Sequence, residues 1–214
     1  MTECIIFDCD GTLVDSEYLC NRALEIKLKD YSIDCSVDEL VEKFRGVNLA
    51  TILKSIEADH KIKFDQDFIP QYRQIVKALF EKDLLPCDGV KEMLSQIQLP
   101  ICVASNAPME KIIHALRLTE LLDFFDGNIF SAYNVGAWKP DPEIFLFAAR
   151  SMECNPQDCL IVEDSPTGIK AAKRAGIYSV LYDPNNLANN HEADIKIQHM
   201  SQLKKLISQR STSN

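Results

Sequence analysis

The 214-residue chain has no apolar run approaching the roughly 20 residues needed to cross a bilayer, so no membrane partner is expected. It also has no leader pattern. Met1 to Phe7 is a short apolar stretch with no basic segment before it and no small-residue cleavage site after it, which makes the cytoplasm the expected compartment. No C-x-x-C pair occurs among its 8 Cys. Cys4, Cys102 and Cys159 sit inside apolar runs, so reduced, buried thiols are expected rather than disulfides. Cations are in short supply: 23 Lys and Arg stand against 32 Asp and Glu, a formal net charge of −9 that repels a nucleic-acid backbone. Nucleic acid is therefore an unlikely class of partner on charge alone, and none is expected. With 7 Gly and 9 Pro, collagen-like and disordered readings fall away. What remains, 46% hydrophobic and 26% charged, is an ordinary globular composition. The length suits one large domain or a core with a smaller companion.

The acidic field equally repels phosphorylated metabolites, so a site for them requires a metal ion and a few local cations to reverse the sign within one cleft. Four short apolar runs organise the chain: Cys4 to Phe7, Ile101 to Ala104, Cys159 to Val162 and Tyr178 to Tyr182. Continuous apolarity, rather than alternation, marks strands covered on both faces. Asp141-Pro142 and Ser165-Pro166 each place a capping side chain before a proline at a helix start. The fold class expected is α/β, a Rossmann-like three-layer core with a mostly parallel sheet.

Between Ser16 and Leu85 strand-like runs vanish and helical spacing takes over, with Cys20, Ala23, Leu24 and Leu28 on one helical face. Further helices are expected around 38–45, 48–59 and 67–82. This divides the chain into a core, 1–15 with 86–214, and an inserted helical cap domain, 16–85, with the crossings near Ser16 and Pro86 acting as a hinge. No internal repeat is present. Ser208 to Asn214 reads as a frayed polar tail.

Acids and hydroxyls fall at the C-terminal ends of the strand runs: Asp8 follows Phe7, Ser105 follows Ala104, and Glu163-Asp164 follow Val162. In open parallel sheets that edge binds ligands. Asp8 and Asp10, two apart on extended backbone, project to the same side, and Gly11 lets the backbone turn closely around an anion. Two carboxylates so near divide labour: ionised Asp8 attacks phosphorus, and protonated Asp10 donates to the leaving oxygen and later accepts a proton from water. An anionic nucleophile needs a cation beside the phosphoryl group. Hard oxygen donors suit Mg²⁺, with Mn²⁺ also compatible. Asp8 and Asp164 are the expected carboxylate ligands, the Asp10 carbonyl adds to them, and Glu163 orients a bound water or binds directly. Lys139 offers an ammonium to Asp8 and a phosphate oxygen, and Ser105 and Asn106 offer neutral hydrogen bonds.

Asp8-x-Asp10-Gly11-Thr12, Ser105, Lys139 and Glu163-Asp164 together resemble the four motifs of the haloacid dehalogenase superfamily. The resemblance implies a Rossmann-like core, an aspartyl-phosphate intermediate and Mg²⁺. The helical insertion straight after the first motif resembles the type 1 cap of the β-phosphoglucomutase-like subgroup. Phe44-Arg45-Gly46-Val47, Val103-Ala104-Ser105-Asn106, Trp138-Lys139-Pro140-Asp141-Pro142 and the segment from Val162 to Gly168 resemble bacterial phosphatases of a sugar acid phosphate, 6-phosphogluconate. Arg45, in the insertion, offers a guanidinium fork for a substrate carboxylate or second phosphate. A small phosphorylated metabolite is thus the expected partner, and a monomer or weak homodimer the expected state.

Other readings compete residue by residue. Asp15 reads as a cap of the first inserted helix, Asp141 as an N-cap, and Trp138 as loop packing. His60, His114, His191 and His199 show no metal-ligand spacing, and nothing lowers the Cys9 thiol pKa. A phosphosugar mutase is the first rival for function, but in its pattern an Arg follows Gly-Val-Ser, whereas Gly46-Val47-Asn48 is followed by Leu49. A dehalogenase needs neither Asp10 nor Glu163-Asp164. A receiver-like phospho-accepting module is shorter and capless, and its acid pair precedes the phosphorylated Asp.

Overall fold

The structure, a computed structural model, describes residues 1–44, 47–188 and 192–212. Arg45 and His191, and the last two positions of the expected tail, lie outside the described residues. In chain order the elements are β1 (Cys4–Phe7), α1 (Glu17–Leu28), α2 (Val37–Phe44), α3 (Leu49–His60), α4 (Phe68–Asp83), α5 (Val90–Gln96), β2 (Ile101–Ser105), α6 (Met109–Leu118), β3 (Ile129–Ser131), α7 (Ala132–Val135), α8 (Glu143–Ser151), β4 (Cys159–Glu163), α9 (Pro166–Ala175), β5 (Tyr178–Tyr182), β6 (Ile195–Ile197) and α10 (Ser201–Thr212). No described helix is long and apolar enough to cross a membrane.

The chain divides into two compact units, Met1–Asp15 with Leu85–Asn214, and Ser16–Leu84. The first holds a six-stranded sheet in the order β3-β2-β1-β4-β5-β6, every pairing parallel. The order of strand addition reverses between β1 and β4, with β2 and β3 laid to one side of β1 and β4 to β6 to the other, a topological switch point where strand ends and helix N-termini leave a crevice. Residues of β1 alternate between faces. Cys4 and Ile6 join Cys102, Ala104, Cys159 and Ile161 against Phe145, Ala148 and Ala149 of α8 and Ala171 and Ala172 of α9. Phe7, on the other face, meets Phe125 edge to face, ring centroids 6.3 Å apart. Helices on both faces explain why β1, β2, β4 and β5 read as unbroken apolar runs. All eight cysteines are free thiols.

Two strands were not foreseen. β3 and β6 are three-residue edge strands, Ile-Phe-Ser and Ile-Lys-Ile, too short to stand out as runs and paired with another strand on one side only. The expected frayed tail is also corrected, because α10 runs on to Thr212. Met200, Leu203 and Leu206 are buried. The Arg210 guanidinium lies 3.8 Å from the Tyr178 ring centroid, and its Nε donates to Thr2 Oγ1 at 3.2 Å. The helix is held by packing that its polar composition does not advertise. At the start of α8, Pro142 takes the N-cap position, while Asp141 Oδ1 still accepts the Glu143 N–H at 2.9 Å. Ser165 caps α9 as expected, accepting the Gly168 N–H at 3.0 Å.

The second unit consists of α1 to α4. α1 buries Ala23, Leu24 and Leu28 of the expected face together with Leu19, whereas Cys20 is half-buried. The expected cap at Asp15 is not made: Ser16 is the N-cap of α1, and Asp15 is exposed. Phe68, Tyr72, Val76 and Phe80 form the buried stripe of α4. Beside it Lys27 is buried, donating to Asp30 Oδ2 at 2.8 Å and Gln71 Oε1 at 2.5 Å.

Leu203 is fully buried on α10. Leu203→Ala is expected to cost about 2–5 kcal/mol in urea unfolding. A change below about 0.5 kcal/mol would show that α10 behaves as the surface tail its composition suggests.

Candidate active site

β1 and β4 are neighbours in register, with Phe7 opposite Val162, so the residues that follow them leave the sheet side by side. The Asp8 N–H still donates to Val162 O at 2.9 Å, which holds Asp8 against the end of β4. Glu163 closes β4 and Asp164 follows it. Ser105 closes β2 on the other flank of β1. After Asp8 the backbone turns tightly: Leu13 and Val14 N–H groups both donate to Cys9 O, at 2.9 and 3.1 Å, and Gly11 N–H donates to Val14 O at 2.9 Å. Gly11 has φ +79°, and a Cβ there would overlap the Asp164 carboxylate. Its positive φ and this close approach both require glycine. Thr12 Oγ1 adds a 3.3 Å hydrogen bond to Asp164 Oδ1.

Lys139 is the centre of the cluster. Its ammonium, almost wholly buried, lies 2.5 Å from Asp8 Oδ1 and 2.9 Å from Glu163 Oε1, with the Phe145 ring centroid 4.8 Å away. Burial disfavours a charged amine, but the negative charges of Asp8 and Glu163 and their hydrogen bonds outweigh it, and the Lys139 pKa is raised. For Asp8, burial dominates and pushes the carboxyl up to about 7, with the Lys139 charge pulling the other way and Glu163 adding to the rise. Glu163 is itself anchored: Oε2 accepts the Ser165 N–H at 2.6 Å and the Ser165 hydroxyl at 2.8 Å. A Cβ at Gly168 would overlap its carboxylate, so the first turn of α9 is shaped around Glu163.

Asp8, Glu163 and Asp164 each offer a carboxylate oxygen, and these lie within 4.8 Å of one another. Three convergent hard oxygens fit a divalent cation such as Mg²⁺. Asp10, expected to join the metal ligands through its backbone carbonyl, adds no side-chain oxygen to this group; its Oδ1 receives Lys111 Nζ at 2.7 Å.

The remaining expected residues sort by contact. Ser105 is buried, and its Oγ accepts the Ala107 N–H at 3.1 Å, leaving the hydroxyl proton for another acceptor. Asn106, expected at the substrate, has both ends of its amide on the backbone of Lys139: Oδ1 accepts the Lys139 N–H at 2.8 Å and Nδ2 donates to Lys139 O at 3.3 Å. Its evident work is to position the lysine. Trp138 packs on Tyr133, centroids 5.5 Å apart, as loop packing requires. Cys9 is buried beside Asp8, and desolvation with the nearby Asp10 and Asp8 charges keeps its thiol pKa high. Lys111 was not foreseen. It lies in the first turn of α6, the helix that follows β2, and a cation six positions after Ser105 at that sheet edge is the signal that points to it.

The profile of the family described as haloacid dehalogenase-like hydrolase matches residues 5–182. The 6-phosphogluconate phosphatase of Escherichia coli (strain K12) is 34% identical over 209 residues, spanning 95% of this chain and 94% of that protein. The β-phosphoglucomutase of Bacillus subtilis (strain 168) is 32% identical over 194 residues, spanning 82% and 81% respectively. Among solved structures, a haloacid dehalogenase-like protein of Agrobacterium tumefaciens str. C58 superposes with a TM-score of 0.86 at 29% identity, covering 99% of this chain and 100% of that one.

A divalent cation binds carboxylates, and protons compete for the same oxygens. With the Asp8 carboxyl near 7, Mg²⁺ affinity falls as pH drops through that value, and calorimetry at pH 6 is expected to give an apparent Kd about tenfold weaker than at pH 8. Equal affinities at the two pH values would contradict this site.

Proposed function

This chain belongs to the haloacid dehalogenase-like hydrolase family, and from that premise we propose that it is a phosphatase of a small phosphorylated sugar or sugar acid, 6-phosphogluconate foremost, acting through a phosphoryl ester on Asp8. The observation that carries the reading is the placement of Asp8 beside Lys139, Glu163 and Asp164 at the switch point of the sheet, with Asp10 two residues further on.

In the proposed reaction an Asp8 carboxylate oxygen attacks phosphorus, and the bond to the ester oxygen breaks. Asp10 gives that oxygen its proton, so the sugar leaves as a neutral alcohol. Water then attacks the phosphoryl group on Asp8 while Asp10 takes a proton from it, releasing phosphate and restoring both carboxyl groups. Lys139 serves both steps by holding Asp8 in place and presenting positive charge to a phosphoryl oxygen, and the Ser105 hydroxyl donates to another. Mg²⁺ or Mn²⁺, held by Asp8, Asp164 and the Asp10 carbonyl with Glu163 in support, would supply the charge neutralisation that a dianionic ester needs among so many acids. Ser165 and Gly168 keep Glu163 aimed, and Asn106 fixes Lys139.

The sheet-bearing unit is assigned the chemistry and the helical unit, 16–84, the part of substrate-selecting cap. Support for a sugar acid comes from the 34% identity to 6-phosphogluconate phosphatase over nearly the full length of both proteins. The mutase reading has the Bacillus subtilis relative in its favour, but Leu49 stands where the mutase pattern has its phosphate-holding Arg.

Phosphate release from a panel of sugar and sugar acid phosphates, with Mg²⁺ present, tests the assignment. Turnover of 6-phosphogluconate is expected, and Asp8→Asn is expected to lower kcat by at least about 10³-fold. Retained activity in that variant would remove Asp8 as nucleophile. Conversion of β-glucose 1-phosphate to the 6-phosphate without phosphate release would make the protein a mutase.

A further inference from the structure

Lys139 and Lys111 both stand among the acids of this site, but they are placed differently. Lys139 is buried and shared between Asp8 and Glu163. The Lys111 side chain is 28% exposed, starts from the first turn of α6, and reaches Asp10 Oδ1 at 2.7 Å. That contact places it beside Asp10. In the proposed reaction, Asp8 stands on the attacking side of phosphorus and Asp10 at the leaving oxygen. A cation paired with Asp10 is therefore placed, in that reaction, toward the leaving oxygen and the alcohol part of the substrate that carries it.

We propose that Lys111 is a specificity-determining cation of the site, selecting esters whose alcohol carries a carboxylate of its own over neutral sugar phosphates. This rests on the phosphatase reading and deepens it. The ammonium is a compact point charge on a flexible stem, suited to exchanging one carboxylate for another. Four carboxylates, Asp8, Asp10, Glu163 and Asp164, surround the crevice, so a substrate bearing a further negative charge beyond its phosphate is repelled unless a cation meets that charge. When an acid substrate arrives, Lys111 turns from Asp10 toward the substrate carboxylate. A neutral sugar phosphate offers Lys111 no such partner. Lys111 therefore discriminates by attraction of the acid.

The test compares two esters that differ at one end: 6-phosphogluconate, with a C1 carboxylate, and glucitol 6-phosphate, with a C1 hydroxymethyl group. The kcat/KM ratio of acid to neutral ester, measured with Mg²⁺ for the wild type, Lys111→Gln and Lys111→Arg, is expected to favour the acid in the wild type. It should fall about tenfold or more in Lys111→Gln, chiefly through KM for the acid, and recover in large part in Lys111→Arg. In an Asp8→Asn background, which holds the intact ester, calorimetry should show the same loss in affinity for the acid ester. An equal fall for both esters would make Lys111 a merely structural or phosphate-facing residue and overturn the proposal while leaving the phosphatase reading in place. No phosphate release from either ester, or full activity in Asp8→Asn, would remove the phosphatase reading and this assignment together.

Discussion

The ammonium of Lys139, enclosed between Asp8 and Glu163, is the contact on which the site depends. Bringing two carboxylates together under β1 and β4 without a cation would leave buried charge unpaired, and breaking such a pair generally costs about 3–5 kcal/mol. The surroundings are built to keep this arrangement. Asn106 clamps the Lys139 backbone from the β2 side, Ser165 holds Glu163 from the α9 side, and Phe145 lies under the ammonium. Three separate segments of the chain thus converge on one lysine. Each hangs from a strand or helix whose own position is fixed by the apolar core.

The same arrangement explains why so acidic a chain can address phosphate. The net charge of −9 works against anions at long range, yet at the sheet edge Lys139 pairs with Asp8 and Glu163 and Lys111 with Asp10, while Asp8 and Glu163 together with Asp164 also form a convergent oxygen cluster. Local charge, not the sum over the molecule, decides what binds. Asp8 reflects this balance directly: burial drives its carboxyl up to about 7, and the charge and hydrogen bond of Lys139 favour the ionised form that a nucleophile requires.

Much of this was legible in the sequence because two kinds of signal coincide. Strands buried on both faces are continuous apolar runs, and Asp8, Ser105, Glu163 and Asp164 stand at their C-terminal ends, so finding the strands located the acids. Edge strands β3 and β6 gave no such run, and α10 concealed its anchoring because Met200, Leu203 and Leu206 are spread through a polar stretch. Lys111 escaped notice for a related reason. A lysine in a helix first turn is commonly solvated, and only the return of β2 beside β1 brings it to Asp10. Asn106 shows the opposite limit: its place beside Ser105 was clear, but the backbone of Lys139, distant in sequence, determines which partner its amide meets.

The central claim is chemical: Asp8 carries the phosphoryl group during turnover. Rapid quenching of the working enzyme with a sugar acid phosphate and Mg²⁺, then borohydride reduction and peptide mass analysis, reads it directly, since an acyl phosphate on aspartate is reduced to homoserine. Homoserine at position 8, formed only when the ester is present, is the predicted result. Turnover with Asp8 unmodified, or with reduction at another carboxylate, would contradict it.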